Sequence, residues 1–287
     1  MLTKYPKISQ QRQHEEKTPL TAIIMAHGFG AIKTMGLEFA AGIFCQAGFD
    51  CLVFDYRHFG ESSGEPRQYF DLDLQLEDWF GAIAHVREQN AQASQKIILW
   101  GASLSGGHVL EIAARDQDIA AVIAQCPFTN GVVASLTGHW LSNLKVTWAA
   151  IKDTYRKAVN KAPVKIAIAG LPGTTALISA PDALYGYSHH FCRDRPFDNS
   201  VHVRNTPRLF NYFPGRRASQ VSCPVLFSLC EKDTVAPARP AQRYAQKSPL
   251  AVVKSYPFNH FEIYGGTQVE TIARDQVGFL TSWLSDT

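Results

Sequence analysis

The stretch Lys96–Ala114, KIILWGASLSGGHVLEIAA, changes its pattern at one point. An unbroken apolar run ends before Gly101 and is typical of a strand that is buried on both faces. Ser103 follows two residues later, and after it comes a segment with helical spacing. A tight turn from strand to helix lifts a side chain clear of the backbone. The stretch therefore predicts a strand, an exposed serine and a helix in succession.

The same alternation of strand and helix continues on both sides of this stretch. Apolar runs of the β type start at six places: Thr21, Cys51, Lys96, Ala120, Val225 and Ala251. Helical spacing marks four segments: 34–47, 71–88, 104–114 and 269–284. Apolar strands that alternate with helices are typical of a parallel sheet with helices on both faces. The sequence therefore predicts a doubly wound, mostly parallel α/β sheet.

The alternation stops between Pro127 and about Arg217. This part is too long and too apolar for a plain loop, so we expect an inserted cap. The predicted units are a core of 18–129 and 218–287 and a cap segment, 130–217. Its large apolar residues either line a substrate pocket or pack the cap itself: Trp140, Trp148, Leu171, Tyr185, Tyr187 and Phe191.

The composition argues against several classes of partner. The 287 residues carry a formal net charge of only +3, and the 28 basic residues are scattered, which gives no sign of nucleic acid or an anionic membrane as partner. No run of about 18 apolar residues occurs, so no membrane span is expected. The polar N-terminus lacks the apolar region of a signal peptide. We expect a cytoplasmic protein.

The six cysteines support the same compartment. They show neither a CxxC pair nor the spacing of a metal site, and several lie inside apolar runs. Such cysteines behave as small buried hydrophobes in a reducing environment. The histidine pair His189-His190 in the cap segment lacks further ligands, so no metal site is expected there.

Four loops that follow predicted strands carry unusual chemistry. They are the segments 27–30 (HGFG), 101–107 (GASLSGG), 230–233 (CEKD) and 259–261 (NHF). In an open α/β sheet, reactive groups gather at the carboxyl ends of the strands. A serine hydroxyl needs a base within hydrogen-bond reach, which a carboxylate holds in turn. The loops together offer a serine, an imidazole and a carboxylate.

These motifs, with VFDYRHFGESSGEPR and NHFEIY, resemble the α/β-hydrolase superfamily, in its dienelactone-hydrolase-like and esterase-like branch. Fungal proteins in that neighbourhood are associated with polyketide thioesters. The order Ser103, Asp233, His260 is the order of the catalytic triad in that fold. The resemblance implies these roles for the three residues. Members of the fold usually begin with an antiparallel hairpin, which we expect to be shortened or absent here, since only about 20 residues precede Thr21.

The turn at the serine also predicts an oxyanion hole. The helix N-terminus aims free N–H groups at the developing charge, and the N–H of Leu104 is one donor. By resemblance, the second donor is the N–H of Phe29. Small residues such as Gly101 let strand and helix approach closely. His27, Gly28 and Gly30 are expected to support the loop of Phe29.

Two alternatives remain open within this assignment. The pattern G-x-S-x-G has Ser105 at its last position, which permits a register with Ser105 as nucleophile and Gly107 as closing glycine. Glu231 competes with Asp233 as the acid. Other residues are expected to have structural roles: Asp55, Arg57, Gly60 and Ser62 in packing a turn or loop, and His108 in packing or capping the helix after Ser103.

The predicted function is hydrolysis of a carboxylic ester or thioester, of medium size and rather apolar, through an acyl-enzyme. The mechanism needs no metal and no organic cofactor. The alternatives are acyl transfer on the same triad and a catalytically silent binding protein. The short N-terminus leaves a sheet edge that could pair with a second copy, so a homodimer is a further expectation.

Overall fold

The computed structural model describes residues 2–5, 21–89, 96–190 and 198–285. Its strands are β1 (Leu2–Tyr5), β2 (Thr21–Ala26), β3 (Asp50–Phe54), β4 (Lys96–Ala102), β5 (Ile119–Gln125), β6 (Lys165–Ala169), β7 (Ala176–Ile178), β8 (Val201–His202), β9 (Val225–Cys230) and β10 (Ala251–Tyr256). Its α-helices are α1 (Leu37–Gln46), α2 (Leu72–Gln89), α3 (Leu104–Arg115), α4 (Gly131–Thr137), α5 (Trp140–Ala158), α6 (Ala183–Tyr185), α7 (Ala238–Ala245) and α8 (Gly266–Ser285).

The central sheet has seven strands in the order β1-β3-β2-β4-β5-β9-β10. Six of them pair in parallel, and β1 pairs antiparallel with β3. The apolar runs of the sequence form these six parallel strands, and each predicted helix lies within about three residues of its expected bounds at either end. The predicted doubly wound, mostly parallel sheet is therefore confirmed.

The strand order reverses between β2 and β4, because the chain first adds β3 on one side and then continues with β4 on the other. At such a switch point the two loops that leave the carboxyl ends diverge and open a crevice. The pair Ala26 and Gly101 stands at the ends of β2 and β4. The segments HGFG and GASLSGG consequently begin side by side.

The core is packed on both faces of the sheet. Trp79 and Trp100 are completely or almost completely buried, one from α2 and one from β4. The indole N–H of Trp100 donates to Gln276 Oε1 of α8 at 2.9 Å, so the largest side chain of the strand has its polar atom satisfied. This packing holds the strand ends, and the loops that leave them, in one arrangement.

At the amino-terminal side, β1 is the one strand among the described residues that precedes β2, and Leu2–Tyr5 pair antiparallel with Cys51–Phe54 of β3. The edge of β3 is thereby covered by the chain itself, and the outer edge of the sheet on that side belongs to a strand of four residues. The shortening of the usual hairpin stays a prediction, because residues 6–20 lie outside the described ranges. The homodimer stays a prediction.

Between β5 and β9 the chain forms a second sheet of three strands in the order β7-β6-β8. Helices α4 and α5 precede this sheet, and two 3-10 helices, Thr206–Asn211 and Pro214–Gln220, lead back to β9. The cap segment thus has secondary structure of its own, while its boundaries at 130 and 217 stay a prediction. Phe191 and Cys192 lie outside the described residues.

None of the helices in the described ranges combines the length and the apolar composition that crossing a bilayer requires.

Candidate active site

Ser103 lies on a strained turn between β4 and α3. Its backbone has φ 55° and ψ −117°, a left-handed conformation that residues other than glycine rarely adopt. The turn is held from both sides, since the Ser103 N–H donates to Gln125 O at 2.9 Å and the Ser103 carbonyl accepts from Phe128 N–H at 2.8 Å. The side chain is partly exposed. The strand-to-helix break therefore presents a hydroxyl at the carboxyl edge of the sheet.

Glycines allow the neighbouring segments to approach this turn. A Cβ on Gly28 would lie 2.8 Å from Ser103 Cβ, and a Cβ on Gly101 would lie 2.2 Å from Ser105 O. Distances this short are forbidden to any larger side chain, so these two positions need glycine. The loop after β2 is in direct contact with the serine as a result.

Asp233 and His260 form a buried pair. Asp233 Oδ2 lies 2.7 Å from His260 Nδ1, and both residues are less than 10% exposed. Asp233 Oδ1 accepts from the N–H groups of Val235 and Ala236 at 2.8 and 2.6 Å. The carboxylate is thus anchored by two backbone amides, and its second oxygen is directed at the imidazole. This arrangement places the proton of the imidazole on Nδ1 and leaves Nε2 to accept a proton.

The competing acid Glu231 is placed differently. Its side chain is exposed, whereas its backbone N–H donates to Tyr256 O at 2.9 Å. The two acids stand two residues apart on the same loop, but Asp233 alone of the two bonds to the imidazole in the described structure.

Cys126 connects the serine turn to the acid–base pair. It follows β5 and lies between Gln125 and Phe128, the two backbone partners of Ser103. A ligating atom of Cys126 lies within 4.8 Å of ligating atoms of Asp233 and His260. The sequence had suggested only a small buried hydrophobe here. Its position just after a strand of the parallel sheet was the available signal, because that edge collects reactive groups.

The same three residues could be considered as metal ligands. The contact with the Cys230 thiol and burial both hold the pKa of Cys126 well above its usual range, so the thiol is protonated. The Asp233 oxygens already accept three hydrogen bonds. A protonated thiol and a saturated carboxylate form a poor donor set, whereas the geometry suits a hydrogen-bonded acid–base pair.

The two expected oxyanion donors lie on the two loops of the switch point. Leu104 is the first residue of α3, where the N–H has no partner within the helix. Phe29 is buried, and its carbonyl accepts from the Tyr187 hydroxyl at 2.7 Å. Neither amide N–H donates to another residue of the described ranges. Both are available to a ligand at the serine.

Ser105 is fully buried and belongs to a polar chain beneath the turn. Its hydroxyl lies 2.5 Å from the Tyr56 hydroxyl and also donates to the carbonyl of His27. Tyr56 in turn accepts from the indole N–H of Trp79 at 2.7 Å. The last position of the G-x-S-x-G pattern thus joins α3 to the loop that carries Phe29.

Two buried histidines support this region and stay neutral. His27 Nε2 donates to Met35 O at 2.7 Å, and burial lowers its pKa to about 4. His108, on α3, lies between Tyr212 at 2.9 Å and Gln75 at 3.1 Å, and burial lowers its pKa to about 3. Both rings therefore act at neutral pH as uncharged hydrogen-bonding groups.

The loop after β3 is tied to the loop after β2. Asp55 accepts from the backbone N–H groups of Lys33 and Glu61 at 2.6 and 3.0 Å, and Ser62 Oγ donates to Asp55 O at 2.7 Å. Lys33 Nζ lies 2.8 Å from Glu61. Arg57 pairs with Asp78 of α2 at 2.6 Å. These contacts are structural and stay clear of the serine.

The cap segment contacts the loop after β2 and the loop after β10. Gly30 has φ 68° and lies so close to Ile168 of β6 that a Cβ would be 2.5 Å from it. Gly186 packs against the ring of Phe261, next to His260. The other large apolar residues named from the sequence differ from the expectation, because Trp140, Trp148, Leu171 and Tyr185 are more than half exposed. Of these four, Tyr185 stacks on His189 and lines a cleft next to Phe261, whereas the other three are exposed at the surface of the cap.

The sequence matches the family described as serine aminopeptidase, S33 over residues 17–261. The chain belongs to this family. The predicted assignment to the α/β-hydrolase superfamily is confirmed, and the chain is a hydrolase. The S33 match spans the core and the cap segment up to the residue after His260.

Relatives of this S33 chain have more specific descriptions. The quorum-quenching protein AidA of Acinetobacter baumannii is 42% identical over 266 residues, 93% of this chain and 87% of that protein. The thiohydrolase aneE of Aspergillus aculeatus is 41% identical over 106 residues, 37% of this chain and 33% of that protein. The crystal structure of the α/β hydrolase GrgF from Penicillium has a TM-score of 0.76 at 21% identity and covers 99% of each chain. That likeness shows the fold.

Proposed function

We propose that the chain is a serine hydrolase that cleaves a carboxylic ester or thioester through an acyl-enzyme, with Ser103 as nucleophile, His260 as base and Asp233 as the acid that orients it. The observation that carries the proposal is the buried 2.7 Å bond between Asp233 and His260, and Ser103, held at positive φ on the turn after β4, supports it. A hydrolase family and a relative named thiohydrolase support the same chemistry.

In the proposed reaction, His260 Nε2 takes the proton of Ser103 while the oxygen attacks the carbonyl carbon of the substrate. Asp233 keeps the Nδ1 proton in place and stabilises the imidazolium. The N–H groups of Phe29 and Leu104 donate to the oxyanion, and His260 then protonates the leaving alcohol or thiol. Water repeats the cycle on the acyl-enzyme, again with His260 as base.

A cleft next to the loop that carries His260 has a lining that favours an uncharged substrate. This cleft of about 380 Å³ lies between the cap residues Asp182–Gly186 and the segment Asn259–Glu262. Asp182 and Glu262 make its lining acidic and would repel a carboxylate. The name of the AidA relative, a quorum-quenching protein, also supports a small-molecule substrate. The five cysteines in the described ranges are buried and free, which supports a cytoplasmic location.

The first test compares variants with p-nitrophenyl esters of increasing acyl length. Ser103→Ala is expected to lower kcat by about 10⁴-fold or more, because the nucleophile is removed. A fluorophosphonate probe, which loses fluoride to a reactive serine, is expected to label the wild type and Ser105→Ala but not Ser103→Ala. The reverse labelling pattern would assign the nucleophile to Ser105, and retained turnover in Ser103→Ala would end the proposal.

Acyl transfer on the same triad is the second candidate, and a catalytically silent binding protein is the third. Fungal relatives named as polyketide transferases favour the second, among them grgF of Penicillium, 37% identical over 106 residues. Product analysis with an added alcohol separates transfer from hydrolysis, since transfer yields the new ester in preference to the free acid. Absence of both products and of probe labelling would favour a silent protein.

A further inference from the structure

Helix α5 of the cap segment exposes a continuous apolar stripe. Trp140, Leu144, Trp148, Ile151 and Tyr155 are between 49% and 71% exposed. At about 3.6 residues per turn, their spacing places all five within an arc of about 80° on one side of the helix. The opposite side carries the buried residues Ser142 and Asp153 and packs against the rest of the cap. Monomeric soluble proteins rarely expose a contiguous apolar face of this size, so we expect it to contact a partner.

Basic residues border the stripe. Lys145, Lys152 and Arg156 follow one edge, and Lys157 lies on the other side. The only acid of the helix is Asp153, whose side chain is fully buried and pairs with Arg204 Nε at 2.7 Å. The outer surface of α5 therefore combines aromatic and aliphatic side chains with positive charges alone.

Neighbouring elements of the cap segment also expose large apolar side chains. Leu136 of α4 is 76% exposed, and Leu171 in the loop after β6 is 57% exposed. Lys145 Nζ donates to Gly173 O at 2.7 Å, which ties the loop of Leu171 to α5. The cap segment thus exposes apolar side chains outside α5 as well as on it.

We propose that this face docks the protein on the surface of an anionic phospholipid bilayer. Trp and Tyr favour the boundary between headgroups and acyl chains, where the rings are partly buried and the polar atoms stay hydrated. A helix with an apolar face bordered by Lys and Arg lies in the plane of that boundary, and anionic headgroups neutralise the basic side chains. The helix rests on the membrane and does not cross it.

A second copy of the chain fits this surface less well. Leu144, Trp148, Ile151 and Tyr155 have the spacing of a helix–helix seam. In an antiparallel pair about a two-fold axis, however, Lys145 of one copy would face Lys152 of the other. No exposed acid of the helix compensates these like charges. Charge complementarity therefore favours lipid phosphates over a second α5.

The overall net charge of +3 gives no sign of this surface, because acids elsewhere in the chain cancel the bases in the sum. Attraction to a membrane depends on charge within about one Debye length of the surface, so the local arrangement decides.

The experiment measures sedimentation of the full-length protein with vesicles of phosphatidylcholine alone and of phosphatidylcholine with 30% phosphatidylglycerol. Binding is expected to the anionic vesicles and to weaken at high salt. The pair Trp148→Ser, Ile151→Ser and the pair Lys145→Glu, Lys152→Glu are each expected to bind at least tenfold more weakly. Matched controls are Phe39→Ser, which removes an equally exposed aromatic from α1, and Arg243→Glu with Lys247→Glu on the core. They should bind as the wild type does.

Fluorescence provides a second readout. Trp79 and Trp100 are buried, Trp283 of α8 is partly buried, and Trp140 and Trp148 are exposed on the stripe, so bound vesicles should shift the emission of this exposed pair to the blue and brominated lipid should quench it. A variant with Trp283→Phe removes the remaining partly exposed tryptophan from the signal. Three outcomes would overturn the proposal: no binding to anionic vesicles, equal loss in the core controls, or a dimer in solution that Trp148→Ser dissociates without any vesicle binding. None of these measurements involves hydrolysis, so they are independent of the proposed function.

Discussion

A row of hydrogen bonds lies beneath the serine turn, and the two groups at its ends fix the direction of every bond in it. The indole N–H of Trp79 can only donate, and the carbonyl of His27 can only accept. Tyr56 must therefore donate its hydroxyl proton to Ser105, which donates its own to His27. Burial holds the pKa of Tyr56 above its usual range, so the phenol remains a donor. A serine in place of the usual glycine thus fixes the loop of Phe29 against α3.

We expect Ser105→Ala to lower kcat about tenfold with little change in KM, because the loop that carries an oxyanion donor loses its anchor. The loss of the buried bonds should also lower the free energy of unfolding by about 1–3 kcal/mol. Steady-state kinetics and urea unfolding measure the two effects.

The matched control is Tyr56→Phe, which removes both bonds of the Tyr56 hydroxyl but leaves the one from Ser105 to His27. It should lose stability and keep most of its kcat. Equal losses of kcat in both variants would mean that general loosening, and not the His27 anchor, causes the effect.

At the scale of elements, His108 joins three of them. It projects from α3 and binds Gln75 of α2 on one side and Tyr212, next to the 3-10 helix Thr206–Asn211, on the other. The ring is completely buried among uncharged partners, which explains why its pKa falls to about 3. Protonation would place a buried charge in this junction without an opposite charge to compensate it.

The stability of the protein should accordingly fall in mild acid. An unfolded histidine titrates near about 6.5, so between this pH and about 3 the unfolded state binds the extra proton. Stability is thus complete above this range and is lost as the pH falls. From pH 7 to pH 5, His108 should account for a loss of about 2 kcal/mol in the free energy of unfolding.

Urea unfolding of His108→Gln at the two pH values tests this expectation. The variant should show a smaller difference between them than the wild type, whereas His85→Gln, on the surface side of α2, should not. Identical pH dependence in the wild type and His108→Gln would contradict the pKa that burial implies.

At the scale of the whole molecule, the cap segment is held partly by its own ion pair. Asp153 of α5 pairs with Arg204 at 2.7 Å and also accepts from Val164 N–H at 2.6 Å. Both residues of the pair lie within the predicted cap segment, 130–217. If these boundaries are right, weakening the pair should loosen the cap and spare the core.

We expect Asp153→Ala to lower the stability of the cap segment by about 2–3 kcal/mol, because it leaves the partly buried Arg204 without its carboxylate and Val164 N–H without its acceptor. Hydrogen exchange should rise in α5 and β6 and stay unchanged in β4 and β5. Exposed Lys165→Ala, in the same segment, is the control. Faster exchange in β4 to the same degree would show that core and cap unfold as one unit.

Much of the fold and part of the site are local properties of the sequence. Apolar runs and helical spacing are set by residues that are near each other in the chain, so the strands, the helices and the turn at Ser103 are readable from the sequence alone. The order of serine, acid and histidine along the chain, together with the pattern HGFG, also indicated the family from the sequence alone.

Only the tertiary structure decided which groups meet. Asp233 and Glu231 are equivalent by position, and burial beside His260 distinguishes them. Cys126 is close to that pair because β5 and β9 are neighbours in the sheet, which no local pattern encodes. The apolar stripe of α5 has the spacing of a buried helix face, and its exposure depends on which side of the helix the rest of the cap covers. Convergence and burial arise from contacts between distant segments, and for that reason they lie beyond what periodicity can predict.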